Sequence, residues 1–269
     1  MIVNSSVSQV LSRVVSLSEV MSGTCLIWLK SPLIASMAQP GQFVMVCCGE
    51  DTLLRRPFSI HQVNDDKTSL ALLFSVVGRG TQWLSRRQAG DKIDLLGPLG
   101  NGYAIAPDSR NILLVAGGIG VAPLHFLAQK AIAEHYLVKL LYGARTAAEL
   151  LSEQMLPLQI KVATATDDGT AGREGIVTSL LLLPDLLADF TDWADQVFAC
   201  GPSPMYKTMA KMPVLKDKPT QISLEVRMGC GLGVCYGCTV KTKTGLKQVC
   251  RDGPIFKLND IVWDEFVDI

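Results

Sequence analysis

Four cysteines near the carboxyl end carry the most specific chemistry in this sequence. Cys230, Cys235, Cys238 and Cys250 fall within 21 residues in the pattern C-x4-C-x2-C-x11-C. Plant-type [2Fe-2S] sites use the first two of these spacings, and four thiolates close around two irons. Gly229, Gly231, Gly233 and Gly237 let so short a loop wrap tightly and turn backbone N–H groups toward the sulfurs. Structural zinc is the alternative. Zinc sites favour paired C-x2-C knuckles, and only one such pair is present, so the spacing favours iron and sulfur. Of the remaining cysteines, Cys25, Cys47 and Cys48 are scattered and read as small buried hydrophobes.

Three further segments could do chemistry. In Leu54-Arg55-Arg56-Pro57-Phe58-Ser59-Ile60, an Arg, an aromatic and a hydroxyl on one strand could set a guanidinium on a phosphate and face a flat heterocycle. Gly78-Arg79-Gly80-Thr81 adds a second phosphate-binding turn. Val115-Ala-Gly117-Gly118-Ile-Gly120-Val-Ala-Pro123 stands where a strand gives way to a helix, a place whose N–H groups attract a pyrophosphate. It is neither G-x-G-x-x-G nor a P-loop. Phe198-Ala-Cys200-Gly201-Pro202 ends a late strand, so Cys200 either lines a nicotinamide pocket or is a buried thiol before a turn. The three histidines, His61, His125 and His135, sit in no hydrolase or metalloprotease motif and read as surface or packing residues.

The elements that must position these residues change character along the chain. Up to about residue 100, short apolar runs at Cys25, Phe43, Ser69 and Lys92 alternate with turn signals, including Pro40-Gly41, Asn64-Asp65-Asp66 and Gly78-Arg79-Gly80. That is the pattern of an antiparallel barrel or sandwich. From Asn111, strands at Ile112, Val138, Gln159 and Gln196 alternate with helix-length stretches, which predicts a doubly wound parallel sheet. The stretches are about Ala122 to Glu134, Thr146 to Gln154, and Gly175 to Leu187. From about Pro219 a tail of about 50 residues is too small for a core of its own without a metal or another staple. The expected divisions are 1–103, 104–218 and 219–269.

Composition bounds the class. The 269 residues are 48% hydrophobic and 19% charged, which excludes disorder, and 25 basic against 25 acidic residues leave no net charge. No broad positive field draws nucleic acid or anionic membrane. The longest weakly polar stretch, Ile112 to Ala128, is 17 residues and holds three glycines, a proline and a histidine, a poor membrane span. Met1-Ile-Val-Asn-Ser-Ser lacks a secretory pattern, so a cytoplasmic protein with reduced thiols is expected.

Taken together, these motifs make the whole chain resemble the ferredoxin-NADP reductase superfamily. Arg56-Pro-Phe-Ser59 is similar to its flavin motif, Gly117-Gly-Ile-Gly-Val-Ala-Pro123 to its pyridine-nucleotide loop, and Cys200-Gly-Pro202 to its late strand end. Within that superfamily, Met228-Gly-Cys230 through Lys241-Thr and Val249-Cys250 through Phe256 resemble the electron-transfer subunits of NAD-dependent (class 1B) dihydroorotate dehydrogenases, as does Asp168-Gly169 through Gly175. The resemblance implies a flavin-binding β-barrel, a nicotinamide-binding α/β domain and a [2Fe-2S] module. It implies FAD on Arg56, Pro57, Phe58 and Ser59, continued by Leu73, Phe74 and Ser75, with Gly80 and Thr81 on phosphate. Family members often carry Ile or Tyr where Phe58 stands. Gly117, Gly118 and Gly120 would take the dinucleotide phosphates, and Cys230, Cys235, Cys238 and Cys250 the iron.

A nicotinamide exchanges two electrons as a hydride and a [2Fe-2S] cluster carries one, so a flavin between them is required if both are present. The implied route runs from dihydroorotate through FMN on a separate catalytic subunit to the cluster, FAD and NAD+, for pyrimidine biosynthesis, in a heterotetramer of two plus two subunits. Related flavin subunits that feed hydrogenases and transhydrogenases are one alternative, and a zinc-stapled scaffold without redox activity is another. NAD is the implied dinucleotide, although Arg145 in Tyr142-Gly-Ala-Arg145 stands at a strand end where it could meet a 2′-phosphate.

Overall fold

The computed structural model describes residues 7–49, 53–158 and 160–266. The amino-terminal hexapeptide read for a leader and Gln159, where the third α/β strand was expected to start, lie outside the described residues. Six strands close an antiparallel barrel in the order β1-β2-β5-β4-β3-β6. They are β1 (Ser8–Met21), β2 (Thr24–Lys30), β3 (Phe43–Val46), β4 (Arg56–Val63), β5 (Ser69–Ser75) and β6 (Lys92–Leu99). Ile27, Leu29, Val44, Val46, Leu70, Leu72 and Leu95 fill its interior. Strand β1 gives no signal in the sequence, because its alternation is blurred: Ser12 faces inward, fully buried, while Leu11 and Val15 are exposed outside.

Helix α1 (Pro32–Ala35) plugs one end of the barrel with Ile34 and Ala35. Helix α2 (Arg79–Leu84) begins where a turn was expected. Gly78 is its N-cap, and the Thr81 hydroxyl accepts the Val77 and Gly78 N–H groups at 2.9 and 3.1 Å.

The second sheet runs β10-β9-β8-β7-β11-β12-β15. Its strands are β7 (Asn111–Gly117), β8 (Leu137–Ala144), β9 (Lys161–Thr166), β10 (Arg173–Glu174), β11 (Gln196–Cys200), β12 (Thr220–Ser223) and β15 (Ile255–Lys257), with the hairpin β13 (Thr239–Thr242) and β14 (Gly245–Gln248) set apart. All pairs within the seven-stranded sheet are parallel except β12 with β15. The central strands read as unbroken apolar runs because both faces are covered.

Helix α3 (Val121–Ala133) matches the expected stretch and lies between sheet and barrel. Its Leu124, Leu127 and Ala128 share one apolar cluster with Met21, Leu26, Ala71 and Leu73 of the barrel. Across the same interface the buried His61 and His125 rings stack with centroids 4.3 Å apart. His61 Nδ1 lies 2.9 Å from the Ala122 carbonyl, and His125 Nε2 lies 3.0 Å from that of Met155.

The helix expected around Thr146 to Gln154 is instead two single turns, Ala147–Glu149 and Glu153–Met155. Tertiary contacts override local propensity there: Leu151 is drawn into the core, and its N–H donates to Tyr142 Oη at 3.2 Å. The stretch from Gly175 breaks into α4 (Val177–Leu180) and α5 (Pro184–Leu186), with Pro184 interrupting the run. Helix α6 (Ser203–Met209) follows β11.

The tail is woven into the rest rather than stapled on. Strand β15 completes the sheet, and Cys238, Val240, Val249 and Cys250 share one core with Phe43, Met45 and Leu99 of the barrel and Leu113 and Val115 of β7. Asn101, just past β6, clamps it. Its backbone N–H donates to Gly253 O at 2.6 Å, its amide donates to Asp252 O at 2.9 Å, and its Oδ1 accepts Ile255 N–H at 3.1 Å.

Candidate functional site

Barrel, sheet and tail meet around a cleft of about 840 Å³. One wall is Pro57, Phe58 and Ser59 of β4 with Leu73, Phe74 and Ser75 of β5, so the structure brings these six expected residues together. Phe58 and Phe74 meet edge to face with centroids 5.7 Å apart, a rigid apolar wall suited to a flat ring. The facing wall comes from the ends of strands, where ligands of open parallel sheets bind. It holds Ile119, Ala122 and Pro123, the loop from Gly201 to Pro204, and Ser223 to Met228.

Arg56 and Gly80 stand side by side without lining the cleft. A Cβ on Gly80 would lie 3.5 Å from Arg56 Cγ and 3.3 Å from Cys48 Cβ, while Arg56 Nη1 donates to Leu54 O at 2.8 Å. Thr81 lines the cleft, but its hydroxyl is engaged in capping α2.

Sequence reasoning missed the segment after β12. Glu225 is set on the cleft wall, exposed to solvent. Tyr206 Oη accepts Gly201 N–H at 2.9 Å and donates to Ser223 O at 2.6 Å, tying the ends of β11 and β12 into one rim. The strand-end rule could have found Ser223; Tyr206 left no local signal.

A second pocket of about 320 Å³ lies beside the βα turn, lined by Gly117, Gly118, Gly143, Arg145, Glu149 and Asp167 among others. Pro202 and Pro204 line both cavities, so the two are continuous along one rim. Gly118 has φ +54° with open space where a Cβ would point, as a loop that cradles a ligand requires. Gly120 has another task. A Cβ there would lie 2.0 Å from Cys200 O, so this glycine permits the turn to press against β11 and faces no phosphate site.

Cys200 departs from its expected place in a nicotinamide pocket. It is fully buried, lines neither cavity, and its sulfur sits 4.0 Å from Ser223 O. Burial pushes its thiol well above the ordinary range, so it is a packing thiol rather than a catalytic one. The residues that follow it reach the cleft because the chain turns outward at Gly201.

The four clustered cysteines are gathered by the loop after Met228. Their thiols interact, Cys230 with Cys235 and Cys250 with both Cys238 and Cys230. Among the described residues no three His, Cys, Asp or Glu side chains converge on a single-ion site. Four gathered thiols supply the four ligands that two irons need.

Backbone N–H groups already face the sulfurs: Leu232 to Cys230 at 3.3 Å, Gly233 to Cys250 at 3.2 Å and Cys250 to Cys238 at 3.5 Å. Burial opposes ionisation of Cys230, but the N–H groups of Leu232, Val234 and Cys235 bring its thiol down to about 6. Gly231 (φ +73°) is held against Met45 of the barrel, where a Cβ would lie 2.6 Å from Met45 Cγ. The residue set therefore fits a two-iron cluster beside the cleft.

No helix among the described residues is long and apolar enough to cross a membrane.

Comparison with known proteins agrees with this geometry. Residues 225–262 match the iron-sulfur cluster binding domain of dihydroorotate dehydrogenase B, and residues 114–211 the oxidoreductase NAD-binding domain. The chain is 40% identical over 262 residues to the dihydroorotate dehydrogenase B (NAD(+)) electron transfer subunit of Desulforamulus reducens, covering 94% of this chain and 98% of that one. It is 38% identical to the same subunit of Bacillus caldolyticus, covering 87% and 91%.

Among solved structures, an NADH-dependent reduced ferredoxin-NADP oxidoreductase studied for flavin-based electron bifurcation superposes with a TM-score of 0.85. It is 30% identical, with 95% of this chain and 91% of that one covered. The ferredoxin reductase in carbazole 1,9a-dioxygenase shares the fold, with a TM-score of 0.68 at 22% identity, covering 79% and 67%. By sequence and by fold, then, the chain belongs to the family of NAD(+)-linked dihydroorotate dehydrogenase B electron transfer subunits, oxidoreductase subunits of the ferredoxin reductase-like fold that use FAD, a [2Fe-2S] cluster and NAD.

Proposed function

We propose that the chain passes electrons from an FMN-containing dihydroorotate dehydrogenase catalytic subunit to NAD+, using three sites assembled around one cleft. One observation carries this reading: the cleft joins the β4 motif, the strand ends of the nucleotide sheet, and Met228, two residues before the first cluster cysteine. When bound there, a flavin exchanges a hydride with a nicotinamide and single electrons with an iron-sulfur cluster.

Pro57, Phe58 and Ser59, with Leu73, Phe74 and Ser75, would hold the isoalloxazine edge and exclude water from one face. Arg56 and the backbone at Gly80 would take the pyrophosphate, which a guanidinium grips through paired hydrogen bonds. Thr81 supports that turn by capping it. Gly117 and Gly118, in the turn between β7 and the 13-residue α3, would receive the dinucleotide phosphates, and the shared rim at Pro202 and Pro204 lets the same molecule reach the cleft. Cys230, Cys235, Cys238 and Cys250 would ligate iron, with the N–H donors above stabilising their thiolates. We place the functional divisions at 103/104 and 218/219, the complex as a heterotetramer of two such chains and two catalytic subunits, and the protein in the cytoplasm.

The test is the visible spectrum of the anaerobically purified chain before and after NADH. Flavin and iron-sulfur bands that bleach together support the relay. A flavin that bleaches over a zinc-filled cysteine site removes the cluster from it, and a colourless protein refutes the reading. Native mass measurement of the complex tests the stoichiometry, where a stable lone chain would contradict it.

A further inference from the structure

The second pocket contains an arrangement that its phosphate-binding glycines do not need. Arg145, just past β8, is the one cation among its lining residues, and Glu149 and Asp167 line the same space. Glu149 grips Arg145 through both oxygens: Arg145 Nη2 lies 2.8 Å from Oε1 and Nε lies 3.1 Å from Oε2. That fork-to-fork pairing satisfies the face of the guanidinium a phosphate would use.

The turn carrying Glu149 is fixed from outside, since Ala147 N–H donates to Thr170 Oγ1 at 2.8 Å. Asp167 is held against the same strand end by its N–H, which donates to Ala144 O at 3.1 Å. The Arg145 side chain is 78% exposed, and such a pair contributes little to stability. Its effect falls on what enters the pocket.

Resting on the reading of this pocket as the site for the adenosine half of the dinucleotide, we propose that Glu149 sets the choice of NAD over NADP by occupying Arg145. A 2′-phosphate needs an unspent cation near the ribose, as NADP sites provide. Here the one cation of the pocket is already held by Glu149, so a 2′-phosphate finds no unspent charge to offset its own. A ribose bearing only hydroxyls pays no such penalty and can hydrogen-bond the carboxylates. Glu149 is thus a positioning residue acting through Arg145.

The probes are 5′-AMP and 2′-phospho-AMP, titrated by calorimetry against the cofactor-loaded chain, with hydrogen exchange followed at residues 112–120 and 143–149. In wild type, 5′-AMP should slow exchange in both segments and bind more tightly than 2′-phospho-AMP. In Glu149→Gln, the ratio should move toward 2′-phospho-AMP by about tenfold, the effect of freeing one nearby screened cation to face a dianion. The gain should shrink with added salt and vanish in the Glu149→Gln, Arg145→Ala double variant.

An unchanged ratio in Glu149→Gln overturns the proposal, as does a gain that survives loss of Arg145. If 5′-AMP protects neither segment in wild type, the pocket reading itself falls and the inference with it. Protection with no change of ratio sinks the inference alone.

Discussion

Gly120→Ala is the sharpest test of how the nucleotide turn is built. The residue has φ −59°, so an alanine would be free of backbone strain and, in an unhindered site, would stabilise by about 0.4–1 kcal/mol through the unfolded chain. Contact reverses the sign. The new Cβ would lie 2.0 Å from Cys200 O, 2.4 Å from its carbonyl carbon and 2.8 Å from Gly201 N. All three are backbone atoms at the end of β11, which pairs with β7 on one side and β12 on the other, so the strand has little room to withdraw.

Forced overpacking of this kind costs about 3 kcal/mol, and for a chain of this size that is a fall of about 6–12 °C in the melting midpoint. Gly118→Ala is the control. It meets no atom within 4 Å but carries φ +54°, so it should cost about 1–2 kcal/mol. Its methyl would project into the open space beside the second pocket and weaken NADH binding more than it lowers stability. Thermal melts of the cofactor-loaded chain, paired with NADH titration, separate the two. A Gly120→Ala protein melting within about 2 °C of wild type, or below which Gly118→Ala falls, would refute the packing argument.

Cys238→Ser should abolish the iron-sulfur bands and lower iron from about two atoms per chain. Flavin should be retained, as read by absorbance and metal analysis, because the cleft wall at Phe58 and Phe74 is built from the barrel.

The stacked histidines predict acid sensitivity: burial first, and then the neighbouring His125, depress His61 to about 3. The unfolded chain therefore binds a proton below about pH 6.5 that the folded chain refuses, and stability is lost as pH falls from there toward 3. His61→Gln should flatten the slope between about pH 6.5 and 5.5 in urea titrations, and an unchanged slope would count against it.

Tyr206→Phe should cost about 2 kcal/mol by leaving the Gly201 N–H and Ser223 carbonyl without their buried partner. It should also weaken NADH binding measured by flavin bleaching, whereas a variant with wild-type stability would show the rim is held by other contacts.

The legible parts of this protein were those whose chemistry is local. Cysteine spacing and interleaved glycines specify a cluster loop because ligand reach depends on a few neighbouring residues, and Gly117 and Gly118 mark a tight turn at a strand-to-helix junction. Continuous apolar runs marked β7 and β11, since a strand covered on both faces must be apolar throughout. Arg56 to Ser59 stood out as one strand segment, and the fold class followed from the order of such elements.

Other features depended on groups far apart in sequence. The role of Gly120 is set by a carbonyl 80 residues away, and Cys200 looked placed for catalysis until the packing of β11 turned its sulfur inward. Tyr206 and Glu225 entered the site only because α6 and the chain after β12 fold back on the cleft. The segment from Thr146 to Gln154 has helical composition but keeps only single turns, with the Ala147 and Leu151 N–H groups donated to Thr170 and Tyr142. The sequence alone determined which groups could bind iron and phosphate, because covalent neighbours fix their spacing. Only the tertiary structure decided which side chains face the cleft, because burial and hydrogen-bond partners come from strands brought together by the common core.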